Sequence, residues 1–231
     1  MTQRQEPDRA SRTARTGIAA GMIGVAAIAG GSLVAAIAYK GTGGEAYNPT
    51  NHFVSELGEL GVSQLAIAFN LGLMVGGIGF VLFMVALARS MGGRLRWAWG
   101  PIGVVAGIGG FFVGIFPMNE LARHTTAAMT FFNLGWIAVG IASVDFVLRR
   151  DPRFPRPLAA VGALTVIAFI GFLRSIDSNT VSPAEVLAAP DHRPAFWIVP
   201  TLEWAVIAGI LAWVFLTAWA WRRALRRGTT G

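Results

Sequence analysis

The sequence predicts an all-α protein: a six-helix transmembrane bundle, both termini cytoplasmic, with short amphipathic helices in the outer loops. Three observations predict it. Hydrophobic residues make up 54% of the 231 positions and charged residues only 13%, a balance that soluble domains of this size do not show. The apolar residues gather into six runs, and basic residues crowd alternate connections between them. Lipid offers no partner to open backbone groups, so such runs must be helices rather than unpaired strands.

The runs cover about 18–39, 64–88, 97–116, 125–148, 157–176 and 198–221. At about 1.5 Å rise per residue, each crosses the roughly 30 Å of hydrocarbon in a bilayer. The domain is therefore 17–221, with polar tails at 1–16 and 222–231. In the first run, Ala36-Ile37-Ala38 resembles a cleavage site behind a charged leader. The apolar stretch is too long for a signal segment, and an uncleaved first span is the better reading.

Charge sets the orientation. Arg4, Arg9, Arg12 and Arg15 precede the first span; Arg89, Arg94 and Arg96 follow the second; Arg149, Arg150, Arg153 and Arg156 follow the fourth; Arg222, Arg223, Arg226 and Arg227 end the chain. The opposite side holds only Lys40, Arg123, Arg174 and Arg193. Basic residues mark cytoplasmic ends, so both termini lie there and the span number is even. Eight of the twelve acids fall on the other, outer half. The net +7 is thus a membrane-surface property, and no basic stripe interleaved with aromatics suggests nucleic acid.

Glycines at four-residue spacing (Gly17/Gly21, Gly72/Gly76, Gly103/Gly107, Gly110/Gly114) let helices approach closely. Packing within the chain is the first reading of them, and a homo-oligomer or membrane-protein partner the second. Trp97, Trp99, Trp219 and Trp221 at one level and Trp197 and Trp204 at the other form the expected aromatic belts.

The outer loops hold the candidate chemistry. In the first, Asn48 as cap, Pro49 at the first helical position and Gly61 at the stop predict a short helix. Such a helix places His52, Ser55, Glu56 and Glu59 on one face, and Phe53, Leu57 and Leu60 on another. It would either lie on the interface or fold over the bundle mouth. In the second loop Pro117 ends the third span, Asn119 caps the fourth, and Glu120 and His124 stand at headgroup level. In the third, Ser182-Pro183-Ala184-Glu185 fits a capping box, with His192 beyond it. Arg174 and Glu203 are expected to pair, since an unpaired charge at span ends is costly. Deeper in the bundle the polar residues are Asn70, Asn133 and Asp145, the last paired with Arg149 at i+4.

His52, His124 and His192 are all the histidines, and all fall outside. Without cysteine, imidazole and carboxylate are the ligands left for zinc, so these three are the metal candidates. His52, Glu56 and His124 are the acid/base candidates. No HExxH or HxxxH spacing supports either role, and the sequence requires no cofactor. The expected ligand-binding set is His52, Ser55, Glu56, Glu59, Asn70, Glu120, His124, Arg174, His192 and Glu203.

Ser55-Glu56-Leu57-Gly58 after the first span, Asn70 early in the second, and Gly114-Ile115-Phe116-Pro117 leading to His124 together resemble domain of unknown function 998, a family of small multi-pass prokaryotic membrane proteins. The resemblance runs from the first to the sixth span. It implies a six-helix bundle in a prokaryotic plasma membrane with polar residues at the outer ends, and brings no activity or cofactor. A more distant likeness to membrane proteins of the Frag1, DRAM and Sfk1 type would suggest lipid handling, with no residue to transfer. The leading expectation is an outward-facing, His/carboxylate-lined mouth for a lipid headgroup, small amphiphile or membrane partner. A metal-assisted or acid/base membrane hydrolase using the same side chains is the alternative. A transporter comes third, because no ionisable group lies near the midplane.

Overall fold

The computed structural model describes residues 5–178 and 193–228. Its long helices are α1 (Gln5–Ala38), α2 (Ala66–Ser90), α3 (Arg96–Ile115), α4 (Leu121–Arg149), α5 (Arg156–Ser178) and α6 (Ile198–Arg226). All six are long and apolar enough to cross a membrane, and no strand occurs among the described residues. Each agrees with its predicted run to within a few residues, except at the chain ends. There α1 begins at Gln5 and α6 continues to Arg226, taking up parts of both expected tails. Extending an existing helix adds one hydrogen bond per residue fixed, without a new nucleus.

Each helix packs on the next in sequence and α6 returns to α1, closing a ring. The tightest seams are those of α1, α2 and α3, where the glycines sit. A Cβ at Gly72 would lie 2.6 Å from the Ala27 carbonyl oxygen, and one at Gly31 would lie 2.7 Å from that of Ala68. Only glycine permits this approach, so the spaced pairs serve packing within the chain.

Below the midline, Phe83, Met84, Trp99, Phe146, Trp213 and Trp221 form one buried cluster. Trp99 and Trp221 are therefore core residues, whereas Trp97 and Trp219 face outward under Arg96 and Arg223. This corrects the belt expectation: i and i+2 on a helix point to different sides, so each of these two pairs contributes one anchor, while at the other level Trp197 is buried and Trp204 is half-buried against Tyr47. Asp145 is buried, pairs with Arg149 at 2.8 Å as expected, and also accepts a bond from Trp99 Nε1 at 3.1 Å. At the opposite end, smaller clusters around Phe132, Phe169 and Trp197, and around Tyr39, Leu57 and Phe69, join the first outer loop to the helices.

Candidate functional site

The first outer loop folds over the bundle instead of lying splayed beside it. It is not the α-helix its pattern predicts, because only Val54–Gly58 forms a short 3-10 turn. Asn48 does not cap a helix. Its side chain holds Thr50 N at 3.0 Å, and its carbonyl accepts from Asn51 N and His52 N. The chain then extends at Phe53 (φ −62°, ψ 148°) before turning. The common polar face of His52, Ser55 and Glu56 is thereby split into three directions. Competing side-chain bonds to nearby backbone are what Asn and Ser offer in place of a helix.

Glu56 points inward and is 1% exposed. Arg193 grips it with two bonds of 2.9 and 2.8 Å, Phe53 N donates at 2.7 Å, and Tyr39 Oη approaches at 3.4 Å. A fork of this kind is the strong geometry for a carboxylate. Burial opposes the charge on Arg193, but the Glu56 carboxylate outweighs it and raises the guanidinium's pKa. Arg193 also donates to Asn51 O at 2.7 Å, tying the loop before α6 to the loop after α1.

His52 is buried against Tyr39 and Tyr47, with ring centroids 5.5 and 5.2 Å away. Its Nδ1 lies 2.7 Å from Asn51 Oδ1 and 3.3 Å from Asn48 N, contacts that require opposite tautomers. The shorter one favours Nδ1–H as donor. With either tautomer Nε2 is buried without a hydrogen-bond partner, its nearest acid being Glu45 Oε1 at 3.8 Å. Burial lowers the pKa of His52. Glu59 is half-buried, and burial together with Glu56 raises its pKa. Tyr47 Oη accepts from Trp204 Nε1 at 2.7 Å and donates to Phe53 O at 2.9 Å, and burial raises its phenol pKa too.

Two further struts hold the lid. Asn70 Nδ2 donates to Gly58 O at 3.0 Å. Asn119 clasps Leu60 from both sides, accepting from its N–H at 2.8 Å and donating to its carbonyl at 2.9 Å. Asn119 was expected to cap α4, and Asn70 to face a ligand. Backbone groups of this loop that no helix pairs needed partners, and these amides supply them. Glu120 does not line the mouth either: it is exposed and paired with Arg123 at 2.8 Å. Glu203 accepts from Val54 N at 2.7 Å in place of the expected bond with Arg174, which is exposed. His192 and the predicted capping box at 182–185 lie outside the described residues.

Beneath the lid is a cavity. Val54 and Ser55 form its roof, and α1, α2, α3, α4 and α6 its walls. Along α6 it reaches from Glu203 to Val214, roughly 16 Å at the helical rise. Its volume is about 90 Å³, so it is a slot with room for a short alkyl segment and too little for a chain filling its whole length. Nearly every wall residue is apolar or glycine; Ser55, His124 and Glu203 are the polar exceptions. His124 Nδ1 donates to Phe116 O at 2.8 Å, which leaves Nε2 as a lone-pair acceptor. Ser55 Oγ has no hydrogen-bond partner among the described residues.

Residues 27–225 match the family described as protein of unknown function DUF998. The chain belongs to that family. No curated protein and no solved structure matches it, and the multi-pass architecture rests on the six long apolar helices. Within this DUF998 chain the structure brings Ser55, His124 and Glu203 to one cavity and leaves His52 outside it. Among the described residues no three His, Asp or Glu side chains gather as a metal-binding set. The residues missed by sequence reading were Arg193, Tyr39, Tyr47 and Asn119. For Arg193 there was a signal: it is one of four basic residues on the acid-rich half.

Proposed function

We propose that this DUF998 protein binds a single-chain amphiphile from the surrounding lipid, taking the first methylenes of its hydrocarbon chain into the slot and the polar end against His124, Ser55 and Glu203. The observation that supports this most is the slot's combination of an apolar length and a polar upper end beneath an ordered lid. Its volume is far below the roughly 300–1,000 Å³ of sites that enclose a whole drug-sized ligand, which favours a narrow alkyl segment over a whole molecule. A neutral His124 with a free Nε2 suits a hydroxyl or protonated carboxyl donor. On the positive-inside argument this end faces outward, with both termini in the cytoplasm of a prokaryotic cell.

Photolabelling tests the reading. An alkyl alcohol carrying a diazirine a few carbons from its hydroxyl is expected to label Leu73, Ala128 or Ile207 inside the ring, and unlabelled alcohol should compete. Filling the slot with Ala128→Phe should cut that labelling about tenfold, since the chain then loses more than one methylene's worth of burial. Labelling confined to outward residues such as Leu71 and Val144, or unchanged in the filled variant, would overturn the proposal.

A further inference from the structure

At the end of the bundle that bears the termini lies a second, unrelated cleft, between α1 and α6. Arg15, Arg222 and Arg226 rim it, and Ile18, Ala19, Met22 and Leu225 form its floor. Its volume is about 470 Å³, within the range of small-molecule sites. No carboxylate lines it among the described residues.

Several arginines on the same face are already partnered. Arg149 and Arg153 pair with Asp145 and Asp151 at 2.8 and 2.6 Å. Arg96 donates to Met91 O, and Arg223 stacks 4.6 Å over Trp219. Arg15, Arg222 and Arg226 are exposed and have no such partner among the described residues. Three like charges converging on one cleft repel one another unless an anion sits between them. Guanidinium groups are matched to phosphate by their planar fork.

The floor identifies the anion's carrier. Ile18 is buried and Met22, one turn deeper, is partly buried; both continue directly into the apolar part of α1. A free phosphate would gain nothing from that surface, whereas a lipid would lay a chain along it. We infer that this cleft is a binding site for an anionic phospholipid, its phosphate held by Arg15, Arg222 and Arg226 and an acyl chain packed on Ile18 and Met22. The site is independent of the slot under the lid. It lies where the first and last helices meet, so an occupant would brace the closure of the ring.

Native mass spectrometry of the delipidated full chain, titrated with phosphatidylglycerol or phosphatidylcholine, tests this. One phosphatidylglycerol per chain is expected, about tenfold or more tighter than phosphatidylcholine, given the attraction of several basic groups for one anionic headgroup. The triple variant Arg15→Gln, Arg222→Gln, Arg226→Gln should lose that preference. A charge-matched control, Arg89→Gln, Arg94→Gln, Arg150→Gln, removes as much charge from the same face and should keep it. Equal loss in both variants would reduce the effect to general surface charge and overturn the site. Full competition by millimolar inorganic phosphate would overturn the lipid assignment, as would equal retention of phosphatidylcholine.

Discussion

Replacing Arg193 with methionine removes the cation from a carboxylate that is 1% exposed, and the lid should open. Glu56 would keep Phe53 N and the distant Tyr39 hydroxyl, but lose both charge-assisted bonds. Stranding one member of a buried pair costs about 3–5 kcal/mol. If that cost falls on closing the lid, the open fraction rises by about two to four orders of magnitude, at about 1.4 kcal/mol per tenfold. The chain has no cysteine, so Val54→Cys, at a position 3% exposed and roofing the slot, reports opening by maleimide labelling. Arg193→Met should speed that labelling at least tenfold. Adding Glu56→Met should restore slow labelling in large part, since replacing both partners removes the uncompensated charge. An unchanged rate in the single variant would refute the latch. A double variant as open as the single would show that the charge itself is not the cause.

The remaining predictions concern pH, lid packing and orientation. Burial depresses the His52 pKa below its ordinary 6.5, so the folded state binds that proton less readily than the unfolded one. The stability tied to neutral His52 is fully present above about pH 6.5 and is lost as pH falls through the depressed value. Glu59, whose pKa is raised, has the opposite sign. Melting temperature in nanodiscs should therefore fall from pH 7.5 to 5.5, and His52→Gln should flatten that slope; an identical slope in the variant would sink the assignment. Gly58→Ala would drive a methyl into Asn70 Oδ1 and to 2.9 Å from the Phe69 ring. Overpacking of this kind costs about 1–3 kcal/mol, read as a lowered melting temperature, and an unchanged one would show that the lid gives way freely. A membrane-impermeant maleimide should label Thr42→Cys but not Arg94→Cys in intact cells; the reverse pattern would invert the proposed topology.

How far the site could be read from the chain differs residue by residue. Glu56 and His124 could be picked out because ionisable side chains beside apolar spans are few. Their partners could not. Glu56 and Arg193 stand 137 positions apart, and no local pattern links them; only the return of α6 to α1 brings their loops together. The first outer loop was misread as an α-helix because its i, i+3, i+4 spacing is the same pattern a folded-over loop uses to bury Phe53 and Leu57. Asn48, expected as a helix cap, instead bonds the backbone two residues on and breaks the helix before it starts.

By itself the sequence determined the six spans, their lengths and the sidedness of the charge, because the need to satisfy backbone in lipid and the cost of charge there act on each segment alone. Only the tertiary structure decided which polar groups face one another. It turned Glu56, Asn70 and Asn119 into fastenings of a lid, packed His52 against Tyr39 and Tyr47, and left Ser55, His124 and Glu203 at the slot beneath. The physical reason is that buried polar groups must find partners wherever packing places them, and packing is a property of the whole ring.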